Sequence, residues 1–469
     1  MMAIVRGYMC LWRNFFTVPG VGLVRTRRTS LLFFYDCSLL MSISKGCVVS
    51  TFRYKKYYME THIAFEQIVQ RGCGIDVHRD TVVASVMGSE LKKETRTYDT
   101  YTHSLQDLRD WLKSLGITHI AMESTGIYWK PIFNILEDNF EILLVNANHV
   151  KNIPGHKTDK KDSMWLTKLL LSGLLKASFI PPREIRNIRD LSRYRKKLTQ
   201  HATADRNRFE KILQDANFKM SNVISDIFGL TGTKLIDALL KGNNNFEELL
   251  GLCHGRIKNK KERLKEALVG NLTEHHKFML RTIRKSLDST FDKVALVDQQ
   301  IDILSRPFAK DLALLQTIPG INRISSVCLL AEIGADMSKF PTEQHLASWA
   351  GMCPGNRESA GKIKIARVTE GNQYLKPILV ECAWSSSHVK NCYLRRKYES
   401  LIGRRGKKRA LIAVGHKILT AAYHILKDKV AYKELGYEYL DKRRKSNQVQ
   451  SYLDKLRNLG VQVQITDVQ

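Results

Sequence analysis

Four carboxylates between residues 76 and 162 have the arrangement expected of a divalent-cation site. Asp76 lies in a short apolar run that predicts a strand, and Glu123 ends a later run of the same kind. Asp159 and Asp162 stand three residues apart in "KTDKKDS", where a helix is predicted to begin, so they share one helix face. Oxygen-only ligands favour Mg²⁺ or Mn²⁺ over zinc, and such a site can stabilise the attacking and leaving oxygens of a phosphodiester.

The same helix start also has a purely structural interpretation. Aspartates in a first turn are favoured by the helix dipole, and Asp159 with Asp162 resembles a capping box. If the acids hold a cation, the neighbouring lysines would face substrate phosphates; these are Lys157, Lys160 and Lys161. Nearby histidines could be ligands or bases, or could simply satisfy local hydrogen bonds; these are His78, His149 and His156.

The charge of the chain points to a polyanionic partner. Its 469 residues include 75 lysines and arginines against 46 acids, a formal net charge of +29. This balance predicts attraction to nucleic acid or to an anionic membrane surface, and charge alone does not separate the two. No stretch reaches the ~18 apolar residues of a membrane span. The nine cysteines form no CxxC pair, which argues against a zinc ribbon or disulfide framework and favours reduced thiols.

Hydrophobic patterning divides the chain into five parts. Residues 1–58 are interpreted as a leader outside the native fold, because Met59 leads directly into the first globular strand. Short β-branched runs then alternate with helical segments, which predicts a sheet covered by helices. The predicted parts are the leader 1–58, an α/β unit 59–182, a helical arm 183–308, a second compact and mostly helical unit 309–440, and a tail 441–469.

The predicted arm combines a basic helix with an apolar seam. Apolar residues recur at steps of three and four from Leu280 to Leu304, close to a coiled-coil pattern, and the seam could pack within one chain or between chains. One arc of the helix that follows Arg183 is basic, and it carries Arg186, Arg189, Arg193, Lys196 and Lys197. This arc is either a track for nucleic acid or a solvated face.

The second compact unit holds two more candidate phosphate contacts. "TIPGI" resembles a helix-hairpin-helix, in which amides near Gly320 would meet a phosphate, although inert helical corners look the same. A basic segment, "GRRGKKR", joins two predicted helices and is a second candidate track for nucleic acid; its candidate contacts are Arg404, Arg405, Lys407 and Lys408.

Several ordered motifs resemble one known family. "GIDVHRDTVVASV", "MESTGIYW", "NANHVKNIPGHKTDKKDSMWL", "LQTIPGI", "WAGMCPGNRESAGK" and "GRRGKKRALIAVGHKIL" look like the insertion sequence 110 family, the DEDD transposases. The resemblance runs from about Cys73 to Leu440. It implies that the first unit has the ribonuclease-H-like (RuvC-like) fold of junction resolvases, with the DEDD acids at Asp76, Glu123, Asp159 and Asp162.

The resemblance also implies a nucleophile and partners. The family's serine loop corresponds to "PGNRESAG", which makes Ser359 the candidate nucleophile, flanked by the basic residues Arg357 and Lys362. Family members recombine donor and target DNA through a covalent serine–DNA intermediate in a homo-oligomer, and some use a structured guide RNA. The implied cofactor is Mg²⁺ or Mn²⁺. A cytoplasmic, nucleoid-associated prokaryotic protein without a membrane partner is expected.

Two other functions remain compatible with the same residues. A junction-resolving nuclease would use the four acids to activate water, without a covalent intermediate. A catalytically inactive scaffold would bind nucleic acid through its basic helices alone, and it predicts that Asp162→Ala changes no DNA transaction.

Overall fold

The computed structural model describes ten ranges of the chain: 21–26, 29–34, 37–44, 47–54, 68–124, 126–146, 159–355, 357–359, 362–365 and 368–461. For the four ranges between 21 and 54, and for 159–161, 256, 357–359 and 362–365, it describes the backbone alone. The chain forms two compact units, which divide between Ser178 and Phe179.

Two antiparallel hairpins lie in the predicted leader. Strands β1 (Val21–Thr26) and β2 (Thr29–Phe34) form one, and β3 (Cys37–Ser44) and β4 (Cys47–Tyr54) form the other. The predicted boundary at Met59 lies outside the described residues, so the exclusion of this segment from the native fold stays a prediction.

A mixed five-stranded sheet forms the centre of the first unit. Its elements are β5 (Arg71–Val77), β6 (Thr81–Gly88), β7 (Leu91–Asp99), α1 (Thr102–Ser114), β8 (His119–Glu123), α2 (Trp129–Leu136), β9 (Glu141–Val145) and α3 (Asp159–Leu171). The strand order is β7-β6-β5-β8-β9; β5, β6 and β7 are antiparallel, and β8 and β9 run parallel to β5. This arrangement is consistent with the predicted ribonuclease-H-like fold.

Most of these elements confirm the sequence interpretation. The hairpin β5–β6, the strands β8 and β9, and the helices α1, α2 and α3 lie where the apolar patterns predict them. Strand β7 has no counterpart in the prediction. Its sequence LKKETRTYD is mostly polar with no buried residue, as an edge strand can be, and therefore carries little apolar signal.

Two long antiparallel helices open the second unit. Helix α4 (Arg183–Asp215) pairs with α9 (Glu274–Ser305). Three side-chain contacts join them, and residues later in α4 contact residues earlier in α9: Arg195 Nε lies 2.6 Å from Asp298, Ser286 Oγ 2.7 Å from Asp205, and His276 3.0 Å from Asp215. Much of the predicted seam is buried in this pairing, Leu280 and Leu287 included. The seam therefore packs within the chain, and Phe291 within it is exposed. Supercoiling of the pair remains a prediction.

Four shorter helices connect the long pair, and a helical bundle follows it. The connecting helices are α5 (Leu230–Leu240), α6 (Phe246–Gly251), α7 (Gly255–Lys258) and α8 (Lys261–Ala267). The bundle contains α10 (Ala309–Gln316), α11 (Arg323–Ile333), α12 (Glu343–Trp349), β10 (Arg357–Ser359), β11 (Lys362–Ile365), α13 (Leu375–Ser386), α14 (Tyr393–Arg405), α15 (Lys407–Asp428) and α16 (Tyr439–Asn458). Helix α15 is central to its core, with Val414, Ile418 and Ala422 fully buried. In the described part of the chain, no helix is long and apolar enough to cross a membrane.

Candidate active site

Asp76 and Glu123 lie side by side at one end of the central sheet. The parallel pairing of β5 with β8 runs from Gly72 and His119 to Ile75 and Met122. Asp76 and Glu123 come next on each strand, so their side chains project from the same face of neighbouring strands. Asp76 is 8% exposed, while Glu123 is partly exposed. The first two acids of the predicted quartet are therefore brought together.

Helix α3 packs on this same face of the sheet. The amide of Gly74 donates to Thr167 Oγ1 at 3.0 Å, and that hydroxyl lies 3.0 Å from the carbonyl oxygen of Ser85. Ser85 and Ser163 hydroxyls join at 2.8 Å. A Cβ on Gly74 would stand 2.3 Å from the Ser163 carbonyl oxygen, so only glycine permits this approach.

The direction of α3 places Asp162 at the acidic end of the sheet. Near its carboxyl end, Leu170 contacts Gly72, whereas Ser163 and Thr167 contact Gly74 two residues further along β5. The helix therefore runs opposite to β5, and its first turn lies at the level of Asp76, because two strand residues span about 6.6 Å and four helical residues about 6 Å. Asp162 is partly exposed there. Asp159 begins the helix one turn earlier, and its side chain lies outside the described part.

The oxygen ligands of Asp76, Glu123 and Asp162 are chemically suited to a hard divalent cation, but the three carboxylates lie too far apart to share one ion. Oxygen donors suit Mg²⁺ or Mn²⁺, and Asp76 additionally contacts His78, with Nε2 at 3.2 Å from its carboxylate. Among the side chains that the structure describes, no three acids, histidines or cysteines are close enough to hold an ion. A metal site at this edge therefore depends on Asp159 or on a closer approach of the three described acids. His149, His156 and Lys157 lie outside the described residues, as do the side chains of Lys160 and Lys161.

The candidate nucleophile lies on a two-stranded ribbon in the second unit. Strand β10 ends at Ser359, which pairs with Lys362 of β11. The pairing continues away from Ser359 through Arg357 with Ile365, Pro354 with Val368, and the Thr369 amide with the Cys353 carbonyl at 3.1 Å. We call residues 351–371 the serine ribbon, with Ser359 near its tip and Gly351 and Gly371 at its root. The side chains of Arg357, Ser359 and Lys362 lie outside the described part.

A buried carboxylate lies beside the root of the ribbon. Glu332, on α11, is 2% exposed and accepts two hydrogen bonds of 2.8 Å from Arg193. Asn372, which directly follows the ribbon, donates to the same carboxylate at 2.6 Å. The side-chain oxygen of Asn372 also accepts from the amides of Tyr374 and Leu375, at the start of α13.

The predicted basic arc on α4 divides into two groups. Arg189 donates at 2.8 Å to the carbonyl oxygens of Ala331 and Glu332, and its burial lowers its pKa to about 10. Arg193 forms an ion pair with Glu332, and its guanidinium carbon lies 4.1 Å from the centre of the Tyr374 ring. These two arginines have a structural explanation within the chain. The remaining members, Arg186, Lys196 and Lys197, are partly or fully exposed.

The other candidate phosphate contacts differ in exposure. Gly320 has φ +87°, and a Cβ there would stand 2.6 Å from the Cys382 carbonyl oxygen and the Ser386 amide, so tight packing on α13 already explains the glycine. Its contact with phosphate stays a prediction. The basic segment at residues 403–409, which ends α14 and begins α15, is exposed throughout, including Arg404, Arg405, Lys407 and Lys408.

Sequence reasoning missed the residues that hold the acids in place. Gly72 and Gly74 alternate with Asp76 along one strand face, which is the signal of close approach by another element. Ser163 and Thr167 are spaced by one helical turn on the approaching helix. Glu332 and Asn372 were also missed. A charged residue inside the apolar run "SSVCLLAEIG" is the signal for the first of these.

Comparison with known proteins defines the class and then the family. A family model described as "Transposase", of the DEDD type, matches residues 73–218, which contain nearly all of the sheet, all four acids and the whole of α4. A second model, described as "Transposase IS116/IS110/IS902 family", matches residues 312–399, which contain the serine ribbon. The class is thus transposase, and the chain belongs to the IS110 family of transposases.

A curated relative agrees with this assignment. The Sinorhizobium fredii protein named "Putative transposase y4qE" is 22% identical over 266 residues. The match covers 55% of this chain and 56% of the relative, so the chain spans about half the length of the curated relative that it matches.

Proposed function

We propose that this chain is a DNA recombinase of an insertion sequence, which cleaves and rejoins DNA strands with Ser359 as nucleophile. The observation that carries the proposal is the common placement of Asp76, Glu123 and Asp162 at one end of one sheet face, in a unit that a DEDD transposase model matches. Three acids that are distant in sequence have no structural need to share an edge, since like charges repel.

The four acids are proposed as the ligands of Mg²⁺ or Mn²⁺. The residues that would hold the ion are Asp76, Glu123, Asp159 and Asp162. A bound divalent ion would offset the negative charge that develops on a scissile phosphate. The hydrogen bond of Thr167 with Gly74 holds the helix that carries Asp162 against the strand that carries Asp76, and the bond of Ser163 with Ser85 holds the same helix against the neighbouring strand β6.

Ser359 is proposed to attack the scissile phosphorus. As the serine hydroxyl loses its proton, a phosphoester bond forms between its oxygen and the phosphorus, the bond from phosphorus to the departing DNA oxygen breaks, and that DNA oxygen takes up a proton. For rejoining, a DNA hydroxyl attacks the phosphoserine phosphorus and the serine hydroxyl is released. Retaining the phosphoester makes rejoining possible without ATP. A serine hydroxyl needs activation by a base or a metal before it attacks. The acids that would activate the hydroxyl, directly or through a bound metal, belong either to the same chain or to another copy in a dimer or tetramer.

The proposed partners are donor DNA, target DNA and a structured guide RNA. Lys196, Lys197 and the exposed segment from Arg404 to Lys408 are the candidate contacts with their phosphates. RNA sequencing after purification from the host tests the guide: one discrete structured transcript is expected, and ribosomal RNA alone would count against it.

A covalent-adduct assay tests the central proposal. Cleaved DNA is expected to remain attached to the wild-type protein as a phosphoserine adduct, and mass spectrometry should locate it at Ser359. Ser359→Ala should abolish both the adduct and recombination, while Asp162→Asn should abolish them without preventing DNA binding. Ser400→Ala is a matched control, because that hydroxyl only donates to the Lys397 carbonyl within a helix. Cleavage that persists in Ser359→Ala without any adduct would indicate a metal-dependent nuclease instead.

A further inference from the structure

The root of the serine ribbon is a close backbone contact that side chains cannot interrupt. Gly351 has φ +68°, and a Cβ on it would stand 2.7 Å from the Thr369 carbonyl oxygen. A Cβ on Gly371 would stand 2.3 Å from the Gly351 amide nitrogen. The two strands of the ribbon therefore leave the bundle together, from one defined point.

Glu332 supplies the polar link between this root and helix α4. Its carboxylate accepts hydrogen bonds from Arg193 on α4 and from Asn372, the residue that follows the ribbon. The Nε of Arg189 lies 3.7 Å from the same carboxylate. A buried ion pair contributes little net stability compared with apolar residues of the same size, because desolvation offsets the attraction. A gain in stability therefore explains a buried carboxylate at this position poorly. A better explanation is that Glu332 holds Arg193 of α4 and Asn372 in one fixed arrangement.

The ribbon amplifies any change at its root. Ser359 lies eight residues from Gly351, which allows a separation of at most about 26 Å, so a rotation of about 5° at the root displaces Ser359 by up to about 2 Å. A misplacement of about 1 Å can cost a reaction about 100-fold in rate.

We propose that Glu332 is a positioning residue for Ser359: its carboxylate fixes the root of the serine ribbon to helix α4 and so sets where the tip stands. The inference rests on the proposed role of Ser359 as nucleophile. It adds a residue outside the acid quartet and the serine loop, on a helix that carries no other proposed function.

Glu332→Gln and Asn372→Ser test the link in two ways. The first keeps the side-chain shape and removes the charge that pairs with Arg193. The second shortens the side chain, so that its hydroxyl no longer reaches Glu332 but can still accept hydrogen bonds from amides at the start of α13; it serves if the first variant does not fold. Asp298→Asn is the matched control, because it breaks the Arg195 ion pair on the same helix α4 without touching the ribbon.

Amide hydrogen exchange measures how firmly the root of the ribbon is held, independently of DNA cleavage. In both test variants, the Thr369 amide, which donates to Cys353 across the ribbon, should exchange roughly tenfold faster through local opening, while amides of α15 keep their protection. Asp298→Asn should leave Thr369 unchanged. Equal loss of protection at Thr369 and in α15 would overturn the proposal, because it would mean general destabilisation.

Adduct formation measures the consequence for Ser359. At saturating DNA, both test variants should form the phosphoserine adduct about 100-fold more slowly, with the DNA concentration for half-saturation unchanged. A folded Glu332→Gln protein with wild-type adduct rate and wild-type Thr369 protection would refute the inference. If Ser359→Ala still forms the adduct, the proposed function fails instead, and the exchange experiment still decides whether Glu332 anchors the ribbon.

Discussion

Replacing Gly74 with alanine should separate the two elements that carry Asp76 and Asp162. The new Cβ would stand 2.3 Å from the Ser163 carbonyl oxygen and 2.6 Å from the Thr167 amide, and both neighbours are backbone atoms of a helix that cannot rotate away. Ordinary contact begins at 3.4 Å, so α3 must retreat from β5 by about 1 Å. The Gly74–Thr167 hydrogen bond then lengthens out of range.

The expected cost follows from these two effects. Overpacking of a close contact costs about 1–3 kcal/mol, and loss of one buried hydrogen bond adds about 1 kcal/mol, which gives about 2–4 kcal/mol for Gly74→Ala. A shift of about 1 Å between Asp76 and Asp162 also exceeds the tolerance of a metal site, about 0.2 Å. Adduct formation should therefore fall by about 100-fold or more.

Urea-dependent amide exchange in β5 measures the stability of this unit separately from the helical one. Gly251→Ala is the control, because a Cβ there meets nothing within 4 Å. That variant should keep its activity and change stability by no more than about 1 kcal/mol. If Gly74→Ala matches the wild type in both exchange and adduct rate, then α3 does not rest on β5 as closely as argued.

Three further predictions concern single side chains. Thr167→Val should cost about 1–3 kcal/mol in the unfolding free energy of the first unit, because it removes a buried hydrogen-bond partner. Thr199→Val removes only an exposed bond to the Arg195 carbonyl one turn earlier in α4 and should cost the second unit under about 0.5 kcal/mol; urea-dependent amide exchange, followed in each unit separately, measures both values. Burial raises the pKa of Cys382 to about 11, so iodoacetamide at pH 8 should leave this thiol unmodified until the protein unfolds, as peptide mass spectrometry would show. Hydrogen bonds from Tyr437 and Arg395 hold the pKa of Glu399 below its ordinary 4.5, so this contact stabilises the fold above that pH and is lost as the pH falls through the lowered value. An NMR titration of the Glu399 carboxyl carbon should give a midpoint below 4.5 in the wild type and a higher midpoint in Tyr437→Phe, which lacks the donating hydroxyl; equal midpoints in the two proteins would contradict the assignment.

Local sequence patterns predict the strands and the helix that carry the acids. They do not predict that these elements bring the acids to the same end of the sheet. Short apolar runs that end in Asp76 and Glu123 predict two strands, and the polar start of α3 predicts a helix. Neighbouring strands in parallel register are a property of the whole sheet, and no run of residues encodes it locally. The alternation of Gly72 and Gly74 with Asp76 was the available sign that a helix covers that face.

The division of the basic arc on α4 also lay beyond sequence periodicity. A helical wheel places Arg189 and Arg193 beside Lys197, because they share an arc. Their difference arises from Glu332, which is 139 residues from Arg193 and becomes its neighbour only when α11 packs on α4. Long-range ion pairs of this kind leave no periodic trace, and the only local sign was a glutamate in an otherwise apolar helix.

The antiparallel pairing of α4 and α9 makes the chain modular. The segment between them leaves from Asp215 and returns at Glu274, and the contact of His276 with Asp215 brings its two ends together. Insertions can therefore be added to that segment without altering the path of the polypeptide on either side, whereas its removal would expose Phe209, Leu213 and Leu280, which share a core with its helices. Variation among relatives should concentrate in its mostly exposed turn at residues 242–245, where a Cβ on Gly242 meets nothing within 4 Å, and a protein engineer seeking a fusion point has a natural place there.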